Sequence, residues 1–205
     1  ALAEAAEADP GDAQPRRAVR VGAGDLRVAG HPVVRVAGPL LGRDSELGAL
    51  QAFWHTAIEE SKPALAVVTG PSGCGKTRLW QELAARLQES GEPLTVLVGS
   101  GDPVQASKPY GLIHQALRGL GAPAPEQSRL LQQAQEGQQT DHEALQRLLL
   151  QELRAAATKE PVLLVLDSAQ WADALSLTTI GRAFKQLPAC PLFILILGPA
   201  RLPAT

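Results

Sequence analysis

The chain has 205 residues, 45% hydrophobic and 20% charged, enough for one packed domain or one domain with a tail. A formal net charge of -2 and an aromatic content of 3% exclude a general pull toward nucleic acid or membrane and a surface built to stack bases. Two cysteines, Cys74 and Cys190, make no disulfide framework, and no Cys/His spacing matches a zinc site.

His31, His55, His114 and His142 are scattered and read as ordinary surface or core histidines. The longest apolar runs, "PVLLVL" and "PLFILIL", are strand-sized and far short of a membrane span. The first residues, "ALAEAAEADPGDAQPRR", lack signal-peptide anatomy, so the expected location is the cytoplasm. With no methionine anywhere, the chain reads as a piece of a longer protein.

Residues 1–17 are rich in Ala, Asp, Glu, Pro and Gly without periodicity and read as a flexible linker. Residues 18–38 alternate apolar and polar positions between Gly and Pro, the pattern of a short β-like arm or the end of a preceding domain. A partly ordered linker fits that stretch equally well. A nucleotide-binding core is expected over 39–205.

"GRDSELGALQAFWHTAIEE" predicts a helix with Leu47, Leu50, Trp54, Ala57 and Ile58 on one face and Asp44 or Ser45 as its cap. "ALAVVTG" predicts a buried strand, running directly into "GPSGCGKT". The next helix carries Leu79, Trp80, Leu83, Ala84 and Leu87 at helical spacing and closes at Gly91. "PLTVLVG" is a second strand. "PYGLIHQALRGL" is a helix with Leu112, Ile113, Ala116 and Leu117 inward, stopped by Pro123 and Pro125.

The Gln-rich stretch 126–139 reads as one helix with frayed ends. Thr140 and Glu143 form a capping-box pattern ahead of a stripe of Leu145, Leu148, Leu149 and Leu153. "PVLLVLD" is a third strand, "LSLTTIGRAFKQL" a helix and "PLFILILG" a fourth strand. Strands alternating with helices, each strand a near-continuous apolar run, predict an α/β fold with a parallel sheet buried on both faces.

"GPSGCGKT", Gly70 to Thr77, matches the phosphate-binding pattern GxxxxGK[ST] in full and sits between a strand and a helix, as that pattern requires. Gly70, Gly73 and Gly75 let the backbone turn tightly and aim its N–H groups at phosphate oxygens. The helix N-terminus adds partial positive charge. Lys76 supplies a full charge and Thr77 a hydroxyl for Mg²⁺. Pro71, Ser72, Cys74 and Arg78 complete the candidate set, Cys74 as a tolerated small residue and not a nucleophile. No guanine-reading Asn/Thr-Lys-x-Asp motif occurs, so ATP is the expected nucleotide.

Asp167 ends the third strand, close enough in a sheet of this kind for its carboxylate to reach Mg²⁺ or a metal-bound water. Hydrolysis also needs a group that orients or deprotonates the attacking water. Ser168 follows where many such ATPases carry a second acid. Asp173 is a candidate substitute, although its position fits a cap for the helix that follows better.

Taken in order, "LLGRDSELGAL", "GPSGCGKTRLWQELA", "PYGLIHQALRGL", "VLLVLDSAQWAD" and "ILGPAR" resemble the AAA-type module of bacterial multidomain signal-transduction (STAND) ATPases. That module is similar to the origin-recognition-complex-like AAA domain. It occurs in large LuxR-type regulators and in cyclase- or kinase-fused ATPases. The resemblance spans about residues 39–201. It implies a three-layer P-loop sheet, mostly parallel, whose fifth strand and helical lid are absent from this chain.

The same resemblance implies an ATP–Mg²⁺ switch acting on other domains of its parent chain, with self-association through the module. The lack of a basic surface and the short apolar runs lead to an expectation of no direct nucleic acid binding and no membrane contact. By position, Gly42 and Arg43 match the family's Gly-Arg box near the nucleotide, and Arg201 matches the arginine that senses the terminal phosphate. Three positions depart: Ser168 replaces an Asp or Glu, Gln170 a His and Pro199 a Thr. Binding is expected to survive these changes and hydrolysis to be slow. The alternatives are an active ATPase driving a conformational cycle, with Asp173 or a neighbouring subunit completing the site, and a P-loop small-molecule kinase.

Overall fold

The computed structural model describes residues 40–187 and 189–200, with the backbone of Ala3–Glu4, Arg27–Val28 and His31–Pro32. The elements run β1 (Ala3–Glu4), β2 (Arg27–Val28), β3 (His31–Pro32), α1 (Asp44–Glu59), β4 (Ala64–Thr69), α2 (Lys76–Glu89), β5 (Thr95–Ser100), α3 (Gly111–Leu117), α4 (Pro125–Gln135), α5 (His142–Lys159), β6 (Val162–Asp167), α6 (Ala174–Gln186) and β7 (Leu192–Gly198). The remainder of the expected linker and arm lies outside the described residues.

Four long strands form a parallel sheet in the order β4-β7-β6-β5. The two-residue β1 pairs in parallel on the outer side of β4, Ala3 opposite Ala66 and Glu4 opposite Val67. The edge beside the phosphate loop therefore carries a short pairing, which occupies backbone groups that an edge strand leaves open. A separate antiparallel pair joins β2 and β3.

The period-two geometry of a strand sends alternate side chains to opposite faces. In β6, Leu163 and Val165 pack with α1 and α2, while Val162, Leu164 and Leu166 pack with α3 to α6. Every residue of β6 is buried. Two helical layers thus cover one sheet, the three-layer α/β arrangement expected from the continuous apolar runs.

The helix interiors follow the predicted stripes, and their ends differ in detail. Leu47, Leu50, Trp54 and Ala57 are buried on α1, but the cap position is Arg43 and not Asp44 or Ser45, which fall inside the first turn. The expected capping box at Thr140 and Glu143 is shifted by one residue. Asp141 is the cap and its Oδ1 accepts from Ala144 N at 2.8 Å, while the Thr140 hydroxyl donates to Gln138 O. An aspartate carboxylate is the stronger acceptor for an orphan helix N–H, which places the boundary there. Pro125 opens α4 at its first turn, where a missing N–H costs nothing.

Asp173 has the most connected carboxylate of the core. Its Oδ1 accepts from Tyr110 N and Ser176 N, both at 2.8 Å. Its Oδ2 accepts from Leu112 N at 3.2 Å and Ser176 Oγ at 2.6 Å. It caps α6 and also holds the start of α3. Asp173→Ala would leave these buried donors without an acceptor and is expected to cost about 2–4 kcal/mol of stability. Urea unfolding of the variant checks this: a midpoint unchanged from wild type would show that the double cap contributes nothing.

Candidate functional site

Parallel strands put all their C-terminal ends on one edge of the sheet, and the candidate residues gather there. Gly70 follows β4 and its N–H donates to Gly198 O at 3.2 Å, which ties the start of the loop to the end of β7. The loop then turns through Pro71, Ser72, Gly73 and Cys74 into Gly75. Gly73 and Gly75 have φ values of 81° and 91°, a left-handed backbone that a side chain would strain. Gly75 is the N-cap of α2 and accepts the helix's first bond from Leu79 N at 2.9 Å. The N-terminal turn of α2, beginning at Lys76 and Thr77, presents backbone N–H groups and the positive end of the helix dipole, the general make-up of an anion-binding end.

Lys76 folds back across the loop. Its Nζ donates to Gly70 O at 2.9 Å and Pro71 O at 2.8 Å, and stands 3.8 Å from Cys74 Sγ. The ammonium charge is held within the ring of backbone groups. Arg43, in the segment before α1, donates to Cys74 O at 3.3 Å and pairs with Glu46. A small cleft between these elements is lined by Arg43, Glu46, Thr69, Cys74, Lys76 and Leu79. Arg43 therefore touches the loop directly. Arg201 lies outside the described residues.

Asp167, buried at the end of β6, is joined to α2 across the sheet edge. Its Oδ2 accepts from Thr77 Oγ1 at 2.7 Å and from Trp80 Nε1 at 3.1 Å. Its Oδ1 accepts from Ser168 N at 2.7 Å. Ser168 adopts φ 55° and ψ 43°, a left-handed conformation that folds its N–H back onto the preceding carboxylate. Thr77 and Asp167, far apart in the chain, thus stand side by side as oxygen donors. Hard oxygen ligands in this number suit Mg²⁺, which keeps several waters and shares its remaining positions with phosphates. The residues fit such a cation.

A model of the AAA ATPase domain matches residues 39–196. The chain belongs to the AAA ATPase domain family. No curated protein matches it.

In this AAA domain, the glycine-rich loop, Lys76 and Thr77 carry the P-loop pattern, and Asp167 is the acid brought against it. Asp173 is placed differently. A carboxylate has about four acceptor positions, and those of Asp173 are taken by α3 and α6. Gln170 lies in the turn after Ser168, its Oε1 buried with no hydrogen-bond partner among the described residues. Two contacts escape a reading of the sequence. Glu46 is drawn in by its pairing with Arg43 three residues earlier. Trp80 fits an apolar stripe so well that its indole N–H goes unnoticed; the only signal is a Trp three residues after the Thr of the motif.

The loop is packed tightly enough to define a testable contact. A Cβ added at Gly70 would stand 2.8 Å from Cys74 Sγ. Gly70→Ala is expected to cost about 1–2 kcal/mol through this overlap, and Cys74→Ala in the same chain to recover most of it. Melting midpoints of the single and double variants check the pair. A double variant as unstable as Gly70→Ala alone would show that the cysteine is not the obstacle.

Proposed function

We propose that this AAA domain is an ATP–Mg²⁺-binding regulatory switch that hydrolyses ATP slowly and changes its contacts with other domains of its parent chain. The observation that supports the reading is a phosphate-loop pattern set against a Thr77–Asp167 pair, with no uncommitted acid next to Asp167 among the described residues. Thr77 and Asp167 are joined at 2.7 Å. The next residue is Ser168, and the nearby acid Asp173 is committed to two helix starts.

Each residue has a separate role in the proposed bound state. The loop N–H groups and the α2 N-terminus receive phosphate oxygens. Lys76 exchanges its loop carbonyls for phosphate oxygens, which are stronger acceptors for an ammonium. Thr77 can donate its proton to Asp167 and still offer lone pairs to the cation. Mg²⁺, when bound, neutralises charge on the phosphates. Ser168 has no charge with which to draw a proton from water, so the step that general-base groups accelerate is left weakly assisted.

Lys76→Ala is expected to weaken ATP binding by about 2 kcal/mol or more, roughly thirtyfold, in a direct titration of the parent protein. Wild-type turnover is expected well below about one per second, the lower end of ordinary enzyme rates. Ser168→Glu would supply a carboxylate beside Asp167 and is expected to raise turnover by about tenfold or more. Turnover of about one per second or faster in the wild type would remove the slow-hydrolysis part and favour an active ATPase. An unchanged rate in Ser168→Glu would count against Ser168 as the cause of slow hydrolysis.

A further inference from the structure

We propose that Trp80 is a positioning residue for the cation site: its indole N–H fixes Asp167 in one orientation before the cation arrives. The proposal rests on the nucleotide–Mg²⁺ reading above and extends it to a residue outside the motif.

Trp80 is 4% exposed and lies on the inner face of α2 with Leu79, Leu83 and Leu87. Packing alone would be served there by any large apolar side chain. What the indole adds is a donor. Residues three apart on a helix share a face, so Trp80 stands one turn deeper than Thr77 on the side facing Asp167. Both donate to the same oxygen, the hydroxyl at 2.7 Å and the indole at 3.1 Å. Ser168 N holds the other oxygen at 2.7 Å.

The two side chains on α2 differ in what they can do next. A threonine hydroxyl has lone pairs for a cation as well as a proton to donate. An indole N–H only donates. It cannot ligate a metal, and it does not ionise. Trp80 therefore keeps its bond to Asp167 whether or not a cation is present. A buried carboxylate is costly unless its oxygens are hydrogen-bonded, and the indole offsets part of that cost from the closed side of the site. The helix that supplies Lys76 and Thr77 also holds the acid from below. Preorganisation of this kind reduces the ordering cost when the cation binds.

The test is ATP affinity of Trp80→Phe and wild type, measured in EDTA and across a Mg²⁺ titration. Phenylalanine keeps an aromatic ring in the core and removes the donor. Affinity in EDTA is expected to agree within about twofold, while the half-saturating Mg²⁺ concentration rises about three- to tenfold, the equivalent of one hydrogen bond. An unchanged Mg²⁺ requirement overturns the proposal and leaves the nucleotide reading intact. An equal loss of affinity with and without Mg²⁺ makes Trp80 a packing residue and overturns it too. A wild type whose ATP affinity ignores Mg²⁺ overturns the reading beneath it. If Trp80→Phe does not fold, the indole N–H resonances of the otherwise native chain decide. Asp167→Asn is expected to move the Trp80 resonance and leave that of Trp54 in place; an unmoved Trp80 resonance overturns the proposal.

Discussion

The carboxylate of Asp167 is the joint that ties the sheet to the helix behind the phosphate loop. It stands at the end of β6, a strand buried along its whole length, and meets two side chains from α2. The strand that leads into the phosphate loop is β4, and β7 lies between β4 and β6. A contact from Asp167 to α2 therefore spans that intervening strand. It locks the helix that begins the phosphate site to the strand that ends in the acid. A buried charge demands such partners, because an unpaired carboxylate in the core would be strongly disfavoured.

A second acid does a different job a few residues later. Asp167 and Asp173 bracket a short segment containing Ser168 in a left-handed conformation and the turn through Trp171. Asp167 faces α2, and Asp173 faces the starts of α3 and α6. The helical layers on the two faces of the sheet are thus connected through one loop with an acid at each end. A short stretch of backbone therefore links the phosphate-loop edge to the helical layer of α3 to α6.

Much of this arrangement is legible in the residues. The order of strands and helices follows from apolar runs alternating with amphipathic stripes. The phosphate loop is a local device: its glycines, lysine and threonine are adjacent in sequence, so a linear pattern captures them. Asp167 is recoverable because a single acid ends an apolar run. Helix ends are less secure. Asp141 takes the cap expected of Thr140 because its carboxylate reaches the orphan N–H of Ala144, whereas Arg43 holds the cap position of α1 by backbone geometry alone, with no side-chain cap bond.

By itself, then, the sequence determined the four long strands, the main helices and the P-loop pattern, since each rests on residues close together in the chain, whereas the short β1 pairing at Ala3–Glu4 left no signal in a stretch that reads as linker. Tertiary structure decided the partners. Trp80 reads as one more apolar position until α2 is laid beside β6, where its donor finds Asp167. Asp173 could be a base or a cap until four donors from two helices occupy its oxygens. The physical reason is the same in both cases. Periodicity records which face of an element is buried, but a hydrogen bond between residues distant in the chain is set only when the elements pack.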